Sequence, residues 1–248
     1  MGDQQCVLAG LDLAWQAEKN PSALALGCVQ QNALKVTHLY PALVGVETLL
    51  QTLLLSPNLR GIAIDAPLVI TNEYGQRPCE HALARDYAAR RAACHPTNLQ
   101  LYPNASSVSL SQQLLQFGFD YRPGERWQFE CYPHPSMVEC FSLPERLLYK
   151  KGSVADKRAG QQQLAMYLSS LAQSPVLPLQ LANDLPVVLQ ADEIARLRGR
   201  ALKQNEDALD AIMCLYIAAL FAIGATGRWY GDVEQGCIWV PQGSCLPV

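Results

Sequence analysis

Apolar residues fall along this chain in two rhythms, and each rhythm predicts an element. Residues 7–13 and 23–29 are short, nearly unbroken apolar runs, as expected of strands covered on both faces, and 33–38 reads as a third strand. Gln30, Gln31 and Asn32 supply the turn between the second and the third. Residues 46–55 switch to helical spacing and end before Pro57. Residues 61–65 return to a short buried run, which Pro67 stops. The N-terminal part therefore reads strand, strand, strand, helix, strand.

Residues 72–128 break that rhythm. Arg77, Arg85, Arg90, Arg91, Arg122 and Arg126 lie here, and prolines and glycines interrupt any long pattern. Helices are predicted over 80–94 and 107–117, with a loop over 95–106. No linker-like composition flanks the region, so it reads as an insertion into one domain spanning 1–248. Beyond it, 127–132 is a strand closed by Pro133, and 135–141 is a short helix. Residues 155–171 carry a helical apolar stripe at 164, 167, 168 and 171, and 192–200 is a shorter, more polar helix. Asn205 predicts the N-cap of a helix over 206–223, apolar nearly all round after its first turn and ended by Gly224 and Gly227. Residues 236–240 form a last strand-like piece.

Acids interrupt this apolar framework at four places. Asp12 lies on the first strand, facing away from Leu11 and Leu13. Asp65 ends the fourth strand, where ligands of α/β sheets gather, although an Asx turn before proline accounts for it as well. Glu130 lies in Phe-Glu-Cys-Tyr-Pro-His-Pro, a rigid exit from a strand, and His134 beside it is a weaker acid–base candidate. Asp207 and Asp210, three apart, share one face of the long helix, and a first-turn position would also stabilise its dipole. A carboxylate in apolar surroundings is costly unless compensated. Four such placements at the ends of core elements predict that the fold gathers negative charge, and a divalent cation is the simplest compensation.

Composition adjusts this picture in three ways. The chain is 50% hydrophobic and 17% charged, which supports a large core and argues against disorder. Its net charge of −3 does not advertise a nucleic-acid binder, though it leaves room for a local basic stripe. The nine cysteines include no pair at zinc-knuckle spacing, and they read as reduced core residues of a cytoplasmic protein. No signal peptide is visible at the start, and the longest apolar run, 211–225, is too short to span a bilayer, so no membrane association is expected.

The motifs Gly-Leu-Asp-Leu-Ala-Trp, Ile-Asp-Ala-Pro, Glu-Cys-Tyr-Pro-His-Pro, Leu-Leu-Tyr-Lys-Lys-Gly and Glu-Asp-Ala-Leu-Asp-Ala occur in this order between Gly10 and Pro241. In that order the chain resembles the domain of unknown function 429 family, described as predicted nucleases of the RNase H-like (RuvC-related) superfamily. The resemblance implies an α/β RNase H-like fold: a mixed sheet of about five strands flanked by helices, with 72–128 inserted after the fourth. It also implies a catalytic set drawn from Asp12, Asp65, Glu130, Asp207 and Asp210, holding Mg2+ or Mn2+. Asp12 would bridge two ions, Glu130 or Asp65 would complete one site, and Asp210 or Asp207 the other.

A nuclease must also hold phosphate. Lys150 and Lys151, with Tyr149 beside them, are one candidate, and Arg85, Arg90 and Arg91 are another. Nucleic acid is therefore the expected partner. Two other functions compete. A non-catalytic binding module on the same fold is consistent with the acidic total. An actin-like phosphotransferase would need a glycine- and hydroxyl-rich turn after the first strand, where this chain has Leu-Ala-Trp-Gln-Ala-Glu-Lys. A serine hydrolase is poorly supported, since Gly-x-Ser-x-Gly is absent.

Overall fold

The structure is a computed structural model that describes residues 6–121 and 123–247; Arg122 lies outside them. It is a mixed α/β fold built on one eight-stranded sheet. The elements run β1 (Val7–Asp12), β2 (Ser22–Gln30), β3 (Ala33–Leu43), α1 (Val46–Leu54), β4 (Leu59–Asp65), α2 (Pro78–Tyr87), α3 (Ser106–Gln116) and β5 (Trp127–Cys131). They continue with α4 (Pro133–Cys140), α5 (Val154–Ser170), β6 (Leu179–Leu181), α6 (Ala191–Ile194), α7 (Gly199–Ala222), β7 (Gly227–Asp232) and β8 (Gly236–Pro241). The strand order is β6-β3-β2-β1-β4-β5-β8-β7. β2 runs antiparallel to both neighbours, β1, β4, β5 and β8 are mutually parallel, and β7 closes one edge antiparallel to β8.

Strand alternation divides the core between the two faces of the sheet. On β1, Ala9 and Leu11 pack with α1 and α3, and Leu8 turns to the opposite side with α7. Gly10 shares the Leu8 side, and a side chain there would collide with the backbone of Ala211 and Leu215. Its missing Cβ lets α7 lie directly on β1. Asp12 is two residues further along the same face. A two-residue step on a strand covers about 6.6 Å, close to the ~5.4 Å of one helical turn, so Asp12 comes level with the α7 turn preceding Ala211. That turn contains Asp207 and Asp210.

Several sequence-based boundaries change. The sheet has eight strands, against about five expected. β6 is only three residues long, and five of the six residues of β7 lie on an exposed edge, so neither has an apolar run to announce it. α2 ends at Tyr87 rather than near 94, and the chain turns through Arg91 in the left-handed region at φ 55°. The helix expected over 192–200 shrinks to the four residues of α6.

The largest shift is at α7, which begins at Gly199. Asn205 is not its cap. Asn205 is buried inside the helix, where its carbonyl accepts from Val188 N at 2.7 Å and its amide donates to Gln161 Oε1 at 3.1 Å. Asp207 and Asp210 therefore stand beyond the first turn, and stabilisation of the helix dipole does not account for them.

Candidate functional site

Asp12 and Asp65 are partners across the parallel β1–β4 pair, so their carboxylates leave the sheet side by side on the α7 face. From α7, Asp207 approaches Asp12 closely enough for the two carboxyl groups to share a hydrogen bond. Two carboxyl groups share a hydrogen bond only when one of them holds the proton. Burial is the main influence raising the Asp12 pKa well above the ordinary range; Lys150 works against it, and Asp210, Asp65 and Asp207 add to it. Asp65 is pushed up to about 7, again chiefly by burial, with Asp210 and Glu130 adding to it against Lys150.

Lys150 supplies the positive charge at the centre. Its ammonium lies 2.8 Å from Asp210 Oδ2, and the Tyr149 hydroxyl donates to Asp210 Oδ1 at 2.6 Å. Burial by itself would lower the Lys150 pKa; Asp210, Tyr149, Asp12 and Asp65 together hold it well above the usual lysine value. The segment carrying Tyr149 and Lys150 is fixed by α5, whose Gly160 lies so close to Leu148 and Tyr149 that any side chain would strike their backbone. Lys203, one turn before Asp207, bridges Glu206 at 2.7 Å and Asp207 at 2.6 Å.

Glu130 is placed differently. It pairs with Ile64 on β4, whose side chain belongs to the α1/α3 face, so Glu130 leaves the sheet away from Asp12 and Asp65. There Arg77, only 1% exposed, clasps it through Nη1 at 2.8 Å and Nη2 at 2.6 Å. Arg77 Nε also reaches Glu80 Oε1 at 2.9 Å, and Glu80 Oε2 accepts from the backbone N of Thr97 at 3.0 Å. Both Glu130 oxygens are engaged, so the structure offers Asp65 rather than Glu130 as the acid beside Asp12.

Most of these groups border one cavity of about 620 Å³, and the fully buried Asp210 lies behind its lining. Asp12, Asp65, Asp207 and Glu130 line it together with Arg146, Lys150, Lys151, Lys203, His95, His134 and Trp15. His134 is buried with Nδ1 unpartnered, and burial lowers its pKa to about 3, so it is neutral at physiological pH. Three expected phosphate contacts lie elsewhere. Arg90 is tied to Glu139 at 2.8 Å and to Leu143 O at 2.7 Å, Arg91 pairs with Glu145 at 3.3 Å, and Arg85 is exposed on α2; none of the three borders the cavity. No sequence pattern singles out Arg77 or Lys203. Arg77 is one arginine among several, and only its place immediately before a proline-started helix sets it apart.

The donor chemistry fits a hard divalent cation. The facing groups are carboxylate oxygens, burial and then the neighbouring acids disfavour the charged form of Asp12, and Asp210 Oδ2 has no aligned hydrogen bond in spite of Lys150. Among the described residues, no three His, Cys, Asp or Glu side chains already form a metal-holding group. The Lys150 ammonium stands among the carboxylates instead.

One stability prediction follows from Asp65. An acid titrating at about 7 in the fold and near 3.9 unfolded favours the folded state at low pH, and that stability is lost as pH rises through about 7. Asp65→Asn removes the penalty. At pH 8, without metal, it should raise the melting temperature by roughly 4–8 °C, about 2 kcal/mol, and leave it nearly unchanged at pH 4. Melting curves with equal wild-type and variant midpoints at pH 8 would contradict this electrostatic account.

Among the described residues, no helix is long and apolar enough to cross a membrane. No curated protein and no solved structure matches the chain. The model of one family, described as Protein of unknown function (DUF429), matches residues 10–235, and the chain belongs to that family.

Proposed function

We propose that this chain is a metal-dependent nuclease on an RNase H-like core, hydrolysing phosphodiester bonds of nucleic acid in the cavity beside β1. The observation that carries this reading is the meeting of Asp12, from one strand, with Asp65, from the next, and with Asp207 and Asp210, from α7, around the Lys150 ammonium. The order β3-β2-β1-β4-β5, with only β2 running against the rest, supports the RNase H-like assignment.

Asp12, Asp65, Asp207 and Asp210 would hold Mg2+ or Mn2+, which when bound supplies an activated water and stabilises the leaving oxygen. Lys150, Lys151, Arg146 and Lys203 border the same cavity and would position the phosphate. Tyr149 fixes the Asp210 carboxylate by its hydrogen bond. Asp65, pushed up to about 7 in the metal-free site, would give up its proton when the cation binds. The reading is tested by cleavage of single-stranded, duplex and branched DNA and RNA with Mg2+, with Mn2+ and with a chelator. Metal-stimulated cleavage of at least one substrate is expected, and no cleavage of any would overturn it.

A second reading is favoured by Lys150. Its ammonium compensates the carboxylates without a metal, as expected of a binding module that lacks turnover. Polyanion binding that is unchanged by a chelator, with no cleavage, would support this reading over the first.

A further inference from the structure

The cavity has an aromatic edge that the carboxylate chemistry does not use. Trp15 follows Asp12 by three residues, borders the cavity and is 45% exposed. Its ring lies 4.3 Å from that of Tyr102, tilted by 43°. An indole is usually buried because it carries so much apolar surface, and an exposed one beside a cavity marks a contact surface.

Both loops that carry the rings are anchored. On the Trp15 side, Ala14 N donates to Ser22 Oγ at 3.0 Å, Gly45 N donates to Ala17 O at 2.8 Å, and Glu18 Oε1 accepts from Val46 N at 2.9 Å. On the Tyr102 side, Tyr102 N donates to Asn98 O at 2.9 Å, and Asn98 Oδ1 accepts from Leu101 N at 3.0 Å. Thr97 joins that loop to Glu80 and through it to Arg77 and Glu130. The aromatic edge is therefore tied on the Trp15 side to the start of β2 and on the Tyr102 side to the Arg77–Glu130 cluster, and an ordered surface loses less entropy on binding.

We propose that Trp15, braced by Tyr102, is a stacking subsite for an unpaired nucleobase, and that the substrate class is single-stranded nucleic acid. This rests on the nuclease reading and deepens it. A ring face on the same cavity as Lys150, Lys151, Arg146 and Lys203 offers one surface for a base and another for the phosphates attached to it. Bases in a duplex already stack on one another and do not present a free face, so an unpaired strand is the form that fits.

The test is binding in a chelator, so that cleavage does not enter. The probes are a labelled single-stranded oligonucleotide, an abasic strand of equal length and a duplex, measured with wild type, Trp15→Phe and Trp15→Ala. Wild type should bind the base-bearing strand about 5- to 100-fold more tightly than the abasic one. Trp15→Ala should lose that preference, Trp15→Phe should keep most of it, and abasic binding should not respond to either change. A wild type that does not distinguish the two strands, a Trp15→Ala protein that binds both as wild type does, or no binding of any strand overturns the subsite. The nuclease reading fails separately. Metal-stimulated cleavage with an unchanged KM in Trp15→Ala keeps that reading and overturns the subsite, whereas base-dependent binding without cleavage upholds the subsite and overturns turnover.

Discussion

Asp12→Asn is expected to lower metal-stimulated cleavage by about 10³-fold or more, ~4 kcal/mol of barrier, while the melting temperature holds or rises. The two effects have one origin. Asp12 is buried and faces Asp210, Asp65 and Asp207, so its charged form is disfavoured until a divalent cation arrives. Asparagine keeps the shape and removes both the cost and the ligand charge. Loss of activity in a fold at least as stable as wild type is what a strained functional group produces, because activity and stability pull against each other there. The measurements are initial rates at saturating Mn2+ and a thermal melt of the same preparation. A variant within about tenfold of the wild-type rate would remove Asp12 from the catalytic set.

Arg77→Met should destabilise the fold by about 3–5 kcal/mol, lowering the melting temperature by roughly 6–20 °C. Arg77 is enclosed with Glu130 and Glu80, and its removal leaves two carboxylates without their cation in a region they cannot leave. The cost arises from the orphaned acids rather than from lost attraction, so adding Glu130→Gln to Arg77→Met should recover part of it. Chemical denaturation of the single and double variants checks both statements. A double variant less stable than the single one would show that Glu130 is not the group left stranded. Glu80 links the same cluster to the 95–104 loop through Thr97, so Arg77→Met should also loosen the cavity wall, read as faster hydrogen exchange there.

Much of the fold was legible because its central elements announce themselves. β1, β2 and β4 are covered on both faces and read as apolar runs, and α7 is nearly all buried after its first two turns. Asp12, Asp65, Asp207 and Asp210 stood out for the same reason, being acids where the surroundings are apolar. Glu130 stood out too, but its face was hidden. Every residue of β5 is buried, so the strand has no polar alternation to show which acids share a side. Only the register with Ile64 reveals it. The true start of α7 was masked by Asn205, a cap-forming residue type that here bonds Val188 and Gln161. Beside Lys151, Lys150 reads as a phosphate contact, and nothing local connects it to Asp210, sixty positions on. That pairing depends on Gly160 and Gly10 bringing their elements into backbone contact, a property of packing rather than of pattern.

We propose that widely separated aspartates meet in order to share a metal ion, with Lys150 as the charge that stands among them otherwise. The most direct measurement is a crystal structure of the wild-type protein soaked in manganese and recorded at an energy where manganese scatters anomalously. The expected result is an anomalous peak in contact with Asp12 and at least one of Asp65, Asp207 and Asp210, with the Lys150 ammonium withdrawn from Asp210. A saturated crystal with no peak at those carboxylates, and Lys150 still bound to Asp210, would contradict it.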